Sequence, residues 1–393
     1  MVEILSGALF VTAIIASMFM AWTIGAGSAG STPFAPAVGA RAISVMQAGF
    51  IVGLCIFLGA VLQGANVSEA VGRDLIEGQT LSTTAAAMAL IIAATLVTVG
   101  IFTGYPIATA FTVTGAVIGV GLAMGGEPAW AKYLEIGLMW TLTPFVGAAF
   151  SYGIAIWLRD ENHREDLAIS ALGAIVGLII ANIEFAVLGP AEGSATLAQT
   201  GGAYIPGPTF VGILSISLLF AVIAGVLISK QARNGVIQAE QRFALAMGAI
   251  VAFSAGGSQV GLAVGPLLPL LDDIVPLIAI LVGGGIGLLI GAWTAAPRMI
   301  KAVAQDYASL GPRRALAALI PAFILAQVAI LFGIPVSFNQ IIVSGVTGAG
   351  AASAAGAGVS RSKIGWTIFA WAASFVLAIV VGFGGFSAVR LLS

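Results

Sequence analysis

Long apolar runs alternate with short polar connections from one end of the chain to the other. A helix crossing the hydrocarbon core needs about 20 apolar residues. On that measure the runs predict about twelve segments: 4–39 (long and interrupted), 42–64, 81–102, 105–124, 133–158, 167–188, 208–229, 243–266, 268–296, 313–332, 336–358 and 364–391. The stretches near 33 and 105 either span or re-enter. The first run has Glu3 as its only early charge and no basic flank, so it reads as structure rather than a secretion signal.

Composition narrows the class. Of 393 residues, 60% are hydrophobic and 8% charged, and 15 Lys and Arg against 16 Asp and Glu leave a net charge of −1. That is too little charge for a soluble surface, and there is no basic face for nucleic acid. An all-α polytopic membrane protein, multi-pass in the cell membrane, is what remains. One cysteine, Cys55, excludes an internal disulfide framework, and the one histidine, His163, sits in the solvated stretch 158–166. Lys230, Arg233 and Arg242 mark one loop as cytoplasmic, Arg298, Lys301, Arg313 and Arg314 a second, and Arg361 with Lys363 a third. Glu69, Asp74, Glu77, Glu192, Asp272 and Asp273 fall on the other side, and the N-terminus is expected outside.

The chain repeats itself. Ser28 and Ser258 stand 230 apart, as do Pro36 and Pro266, while Pro106 and Pro335 stand 229 apart. The loop after residue 64 is acidic and its counterpart after 296 basic, as expected for halves that cross the membrane in opposite senses. The predicted organisation is 1–158 as a first inverted repeat, 159–242 as a linker helix pair with cytoplasmic loops, and 243–393 as a second repeat. Inverted repeats with Gly/Pro-interrupted helices at matching positions point to a secondary transporter. Breaks are expected at 25–36 and 254–266, where free N–H groups and helix dipoles favour an anion.

These stretches resemble the inorganic phosphate transporter (PiT) family. That family carries Gly-Ala-Asn-Asp-Val-Ala-Asn in each half, followed by Pro-Val-Ser-Thr-Thr-His. "PFAPAVGARAISVMQAGFIVG" at 33–53, "LAVGPLLPLL" at 262–271 and "GIPVSFNQIIVSGVTGAG" at 333–350 stand in the family's order. Both family aspartates are replaced, by Ala29 and Gln259, and both histidines, by Phe111 and Gln340. This Gly/Ser-rich version looks like the sulfate permease branch of the superfamily. The resemblance also implies a homodimer.

The candidate binding residues follow from the motifs. Gly27 and Gly257 allow close backbone approach, and Ser28, Ser31, Thr32, Ser254 and Ser258 offer hydroxyl donors. Gln259 offers an amide, and Thr109, Ser337, Asn339 and Gln340 lie just after the motif prolines. The plainer alternatives are helix packing for Gly27, Gly30, Gly256 and Gly257, and back-bonding to helix carbonyls for the hydroxyls. Arg41 either attracts the anion or anchors the interface. Glu135 reads as an interfacial carboxylate, and Trp22, Trp130, Trp140 and Trp157 read as belt and packing residues.

The expected function is a symporter of a small tetrahedral oxyanion. Sulfate is favoured over phosphate, because fully deprotonated sulfate can only accept hydrogen bonds. A phosphate carrier is the alternative, an anion channel is an alternative of another class, and an intramembrane enzyme ranks last. No Gly-x-x-x-x-Gly-Lys-Ser/Thr motif for nucleotide is present, and no cofactor or metal is expected. The coupling ion is Na+ or H+, with Glu184 the least implausible proton carrier.

Overall fold

The computed structural model describes residues 2–160, 164–189, 194–271, 273–307, 310–353 and 359–392, with side chains from Gly7 onward. His163, Glu192 and Asp272, and the side chain of Glu3, lie outside the described residues. The helices are α1 Val2–Gly27, α2 Ala35–Gly39, α3 Val45–Gln63, α4 Ala65–Arg73, α5 Thr83–Thr103, α6 Thr109–Ala123, α7 Trp130–Arg159 and α8 Glu165–Asn182. They continue as α9 Leu197–Gly202, α10 Thr209–Arg233, α11 Val236–Val264, α12 Leu268–Leu271, α13 Leu277–Asp306, α14 Pro312–Leu331, α15 Phe338–Ala351 and α16 Arg361–Leu392. Two short antiparallel pairings join β1 Ile76–Glu77 to β2 Glu127–Pro128 and β3 Glu184–Phe185 to β4 Ala195–Thr196.

Among the described residues, 10 helices are long and apolar enough to cross a membrane, α11 and α12 together making one of them. Two of the expected twelve fall short. α6 has 15 residues and α15 has 14, a rise of roughly 21–23 Å against about 30 Å of hydrocarbon. The prolines set these lengths. Pro106 and Pro335 lack an N–H and push the preceding residue out of the helical region. Just before them, Gly104 and Gly333 adopt φ of +75° and +58°, which ends α5 and α14.

Both expected breaks are present, the second displaced to its far end. The run 4–39 does break, at Gly27, and resumes as the short α2. In the second half, α11 runs unbroken through Ser254–Gln259 to Val264, and the turn comes at Gly265–Leu267. Gly256 and Gly257 serve close packing instead. A Cβ on Gly256 would lie 2.0 Å from the Ile56 carbonyl oxygen, and one on Gly257 2.7 Å from Gln63 Cβ. Without those side chains α3 lies directly against α11. The segment expected at 167–188 ends at Asn182, so Glu184 stands on β3 beyond the helix.

The helix contacts come in reciprocal pairs. α1 packs on α13, and α11 on α3; α1 packs on α5, and α11 on α14. The short helices α6 and α15 are then clasped by α16 and α7, so each half closes over the short helix of the other. α8 and α10 pack chiefly on one another. Large apolar side chains such as Phe145, Val222 and Val380 point outward on α7, α10 and α16, as a lipid-facing surface requires.

Candidate oxyanion site at the helix breaks

α1, α6, α11 and the turn before α15 meet in a buried polar cluster. Gln259 gathers them. Its Oε1 accepts from the hydroxyls of Ser28 at 3.2 Å and Thr109 at 2.7 Å, and its Nε2 donates to the Val336 carbonyl at 2.5 Å. Thr109 Oγ1 also lies 3.3 Å from Ser28 Oγ. Asn339 closes the other side, donating its amide to the carbonyls of Gly27 at 3.0 Å and Ile107 at 2.6 Å. Ser28, Thr109, Ser258, Gln259 and Ser337 have no solvent exposure. The site is occluded.

Several of its polar atoms are unspent. Ser258 Oγ, Ser337 Oγ and Asn339 Oδ1 are buried without a hydrogen-bond partner. Such orphans are costly in an apolar interior, and each calls for an explanation. The helix termini add donors. α6 begins after Ala108 and α15 after Ser337, and no side chain caps either one. The first N–H groups of a helix have no partner inside it, and the dipole there is positive. No titratable side chain takes part in the cluster, and no group of three or more His, Cys, Asp or Glu able to hold a metal occurs among the described residues. The chemistry on offer is neutral: hydroxyl, amide and helix N-terminus, which suits an oxyanion.

The other expected residues divide. Ser31 and Thr32 donate back to the Ser28 carbonyl at 3.2 and 3.1 Å, which steadies the break in α1. Ser254 donates to the Ile250 carbonyl and joins a second buried group one turn below Ser258. There it accepts from Gln327 at 2.7 Å, and Gln327 exchanges amide hydrogen bonds with Gln63. Gln340 donates to the Trp140 carbonyl at 2.7 Å, leaving its Oε1 unpaired. Arg41 is exposed, with a φ of 57°, and does not reach the cluster. Glu135 is exposed and pairs with Lys132 at 3.4 Å. Glu184 accepts from Ser194 at 2.6 Å on the β3–β4 hairpin, and its backbone carbonyl accepts from the Gln63 amide at 2.9 Å.

Sequence reasoning missed Gln63 and Gln327, which are uncharged amides in otherwise apolar helices. Trp140 packs as expected and also makes a hydrogen bond. Its indole N–H donates to the Pro335 carbonyl at 2.8 Å, and its ring stacks 3.8 Å from Phe111, the residue at the family's histidine position. Trp371 does the equivalent on Pro106, at 2.7 Å.

A profile of the phosphate transporter family matches residues 11–382. The chain belongs to the phosphate transporter family. Within the family it is 25% identical over 390 residues to a Thermococcus kodakarensis protein described as a phosphate permease, the match covering 94% of each. It is 26% identical over 399 residues to a counterpart from Pyrococcus furiosus, covering 96% of each. A solved structure described as "the sodium-dependent phosphate transporter" matches with a TM-score of 0.82 at 22% identity, over 98% of this chain and 100% of that one. At that identity the likeness is one of fold. The expected sulfate branch finds no support among these relatives.

Proposed function

We propose that this member of the phosphate transporter family is a secondary transporter that carries an inorganic tetrahedral oxyanion by alternating access. The supporting observation is the occluded cluster of Ser28, Thr109, Ser258, Gln259, Ser337 and Asn339, set between two uncapped helix N-termini. Residues 1–158 and 243–393 are the two repeats that rock about it, with 159–242 as the linker. Phosphate is the substrate that the relatives' descriptions favour. The fold neighbour's name favours Na+ as the coupling ion. The buried hydroxyl, amide and carbonyl oxygens are the ligands such an ion would use here, since the family's carboxylates are replaced by Ala29 and Gln259.

One observation favours sulfate as a second reading. A protonated phosphate gains from an acceptor carboxylate, whereas sulfate is repelled by one, and this cluster has none. Uptake by purified protein in proteoliposomes decides. Labelled phosphate should enter saturably, exchange against unlabelled phosphate, and be blocked by excess phosphate more than by excess sulfate. The opposite order of competition establishes the sulfate reading. Conductance without counterflow, with single-channel currents, would replace both with a channel.

A further inference from the structure

The ends of α7, α11, α14 and α15 on the side marked cytoplasmic by its Lys and Arg enclose a cavity of about 440 Å³. It shares no residue with the buried cluster. Glu240, in its wall, stands 19 residues before Gln259 on the same helix, which is roughly 28 Å along the axis.

Three arginines line the cavity, and they differ in what they are bound to. Arg313 is fully engaged: its Nε lies 3.2 Å from Glu240 Oε1, and it pairs with Glu165 as well. That contact also accounts for Glu240, which is only 2% exposed. Arg159 donates Nη1 to the Ala352 carbonyl at 2.9 Å, capping α15. Arg314 stands in the wall with no ion pair or hydrogen bond to any described residue. With Arg313 held by Glu165 and Glu240 and Arg159 by a carbonyl, Arg314 is the cation left to face the cavity. Ser353 Oγ, also in the wall, is buried without a partner. Gly311 and Pro312 bring in the uncapped start of α14. The rest of the lining is apolar, from Ala155, Ile237 and Ala352.

A forked guanidinium, a hydroxyl and a helix start together suit the oxygens of a phosphate group. The volume is far more than a bare oxyanion needs, and the apolar walls call for an apolar remainder. We propose that this cavity is a second anion site, one that takes the phosphate headgroup of an anionic phospholipid from the cytoplasmic leaflet. Basic pockets between membrane helices on that side hold such headgroups. Free inorganic phosphate is the other source of the same chemistry. The proposal stands apart from the transport reading, since none of its residues touches the central cluster.

Native mass spectrometry on the full-length protein tests it, with phosphatidylglycerol, phosphatidylcholine and inorganic phosphate as separate probes. One phosphatidylglycerol per chain should be retained in preference to phosphatidylcholine. Arg314→Gln should weaken that retention about five- to tenfold. Lys301→Gln, which removes an exposed cation outside the cavity on the same side, should not. Arg314→Gln breaks no bond in the free protein, and an unchanged thermal midpoint without lipid checks that it is folded. If inorganic phosphate binds with the same Arg314 dependence and the lipid shows no preference, the source is free phosphate and the oxyanion site stands. Lipid preference indifferent to Arg314, or binding of neither probe, overturns the proposal.

Discussion

Trp140 and Trp371 do the same job in opposite halves. Each donates its indole N–H to the carbonyl of the proline that precedes a short central helix, Pro335 for Trp140 and Pro106 for Trp371. Each tryptophan lies on a helix of one half and reaches the proline turn of the other. Replacing either with Phe keeps the ring and removes only the donor. The stranded carbonyl should cost about 1–3 kcal/mol, seen as a lower thermal midpoint in detergent. Because each turn positions a helix N-terminus at the site, apparent KM for the anion should rise more than maximal rate falls. An unaltered KM in both variants would reduce the pair to packing.

Ser258→Ala and Ser28→Ala separate binding from stability. Ser258 Oγ has no partner to lose, so its removal should leave stability unchanged or slightly raised while apparent affinity for the anion falls several-fold. Ser28 donates to Gln259, so its loss should cost about 1 kcal/mol of stability as well. Unchanged uptake affinity in the double variant would remove both hydroxyls from the site.

Gln259→Glu restores an acid at one family aspartate position. A carboxylate there repels a fully deprotonated anion and can accept the proton of phosphate. Sulfate should therefore lose its power to compete by about tenfold or more, and phosphate by clearly less, in the same uptake assay. Equal losses for the two anions would show that this position does not govern the choice.

Gly256→Ala should be among the most damaging single changes in the membrane core. The new Cβ would meet the Ile56 carbonyl oxygen at 2.0 Å, a backbone atom that cannot swing aside. α3 and α11 must then separate, at a cost of about 1–3 kcal/mol or more. Gly153→Ala is the control, because nothing lies within 4 Å of its added carbon. Size-exclusion profiles and thermal midpoints of the two purified variants should differ sharply.

The parts of this architecture that depend on local chemistry were legible in the chain. Apolar runs located the helices, and the repeated prolines at 106 and 335 located the turns before α6 and α15. Ser28, Thr109, Gln259 and Asn339 were singled out by motif position and do meet. What failed depended on partners far along the chain. Gly256 and Gly257 look like a helix break in isolation, yet α3 lying against them makes the same glycines a packing surface. Trp140 reads as a belt or packing residue in the sequence, and only the folded chain brings the Pro335 carbonyl to its indole. The apolar run 167–188 does not reveal that the helix stops at Asn182, which places Glu184 on β3. Glu240 escaped notice because Arg313, the cation that allows it to be buried, lies 73 residues away.

The crossing of α16 over α6 also bears on biosynthesis. The Pro106 carbonyl waits for Trp371, 265 residues later in the chain. At about 5–20 residues per second, that partner emerges roughly 13–53 seconds later. Until then the first proline turn and its short helix sit in the bilayer without their clasp. The first half can insert early, but the clasp on its short helix closes only when α16 has been made.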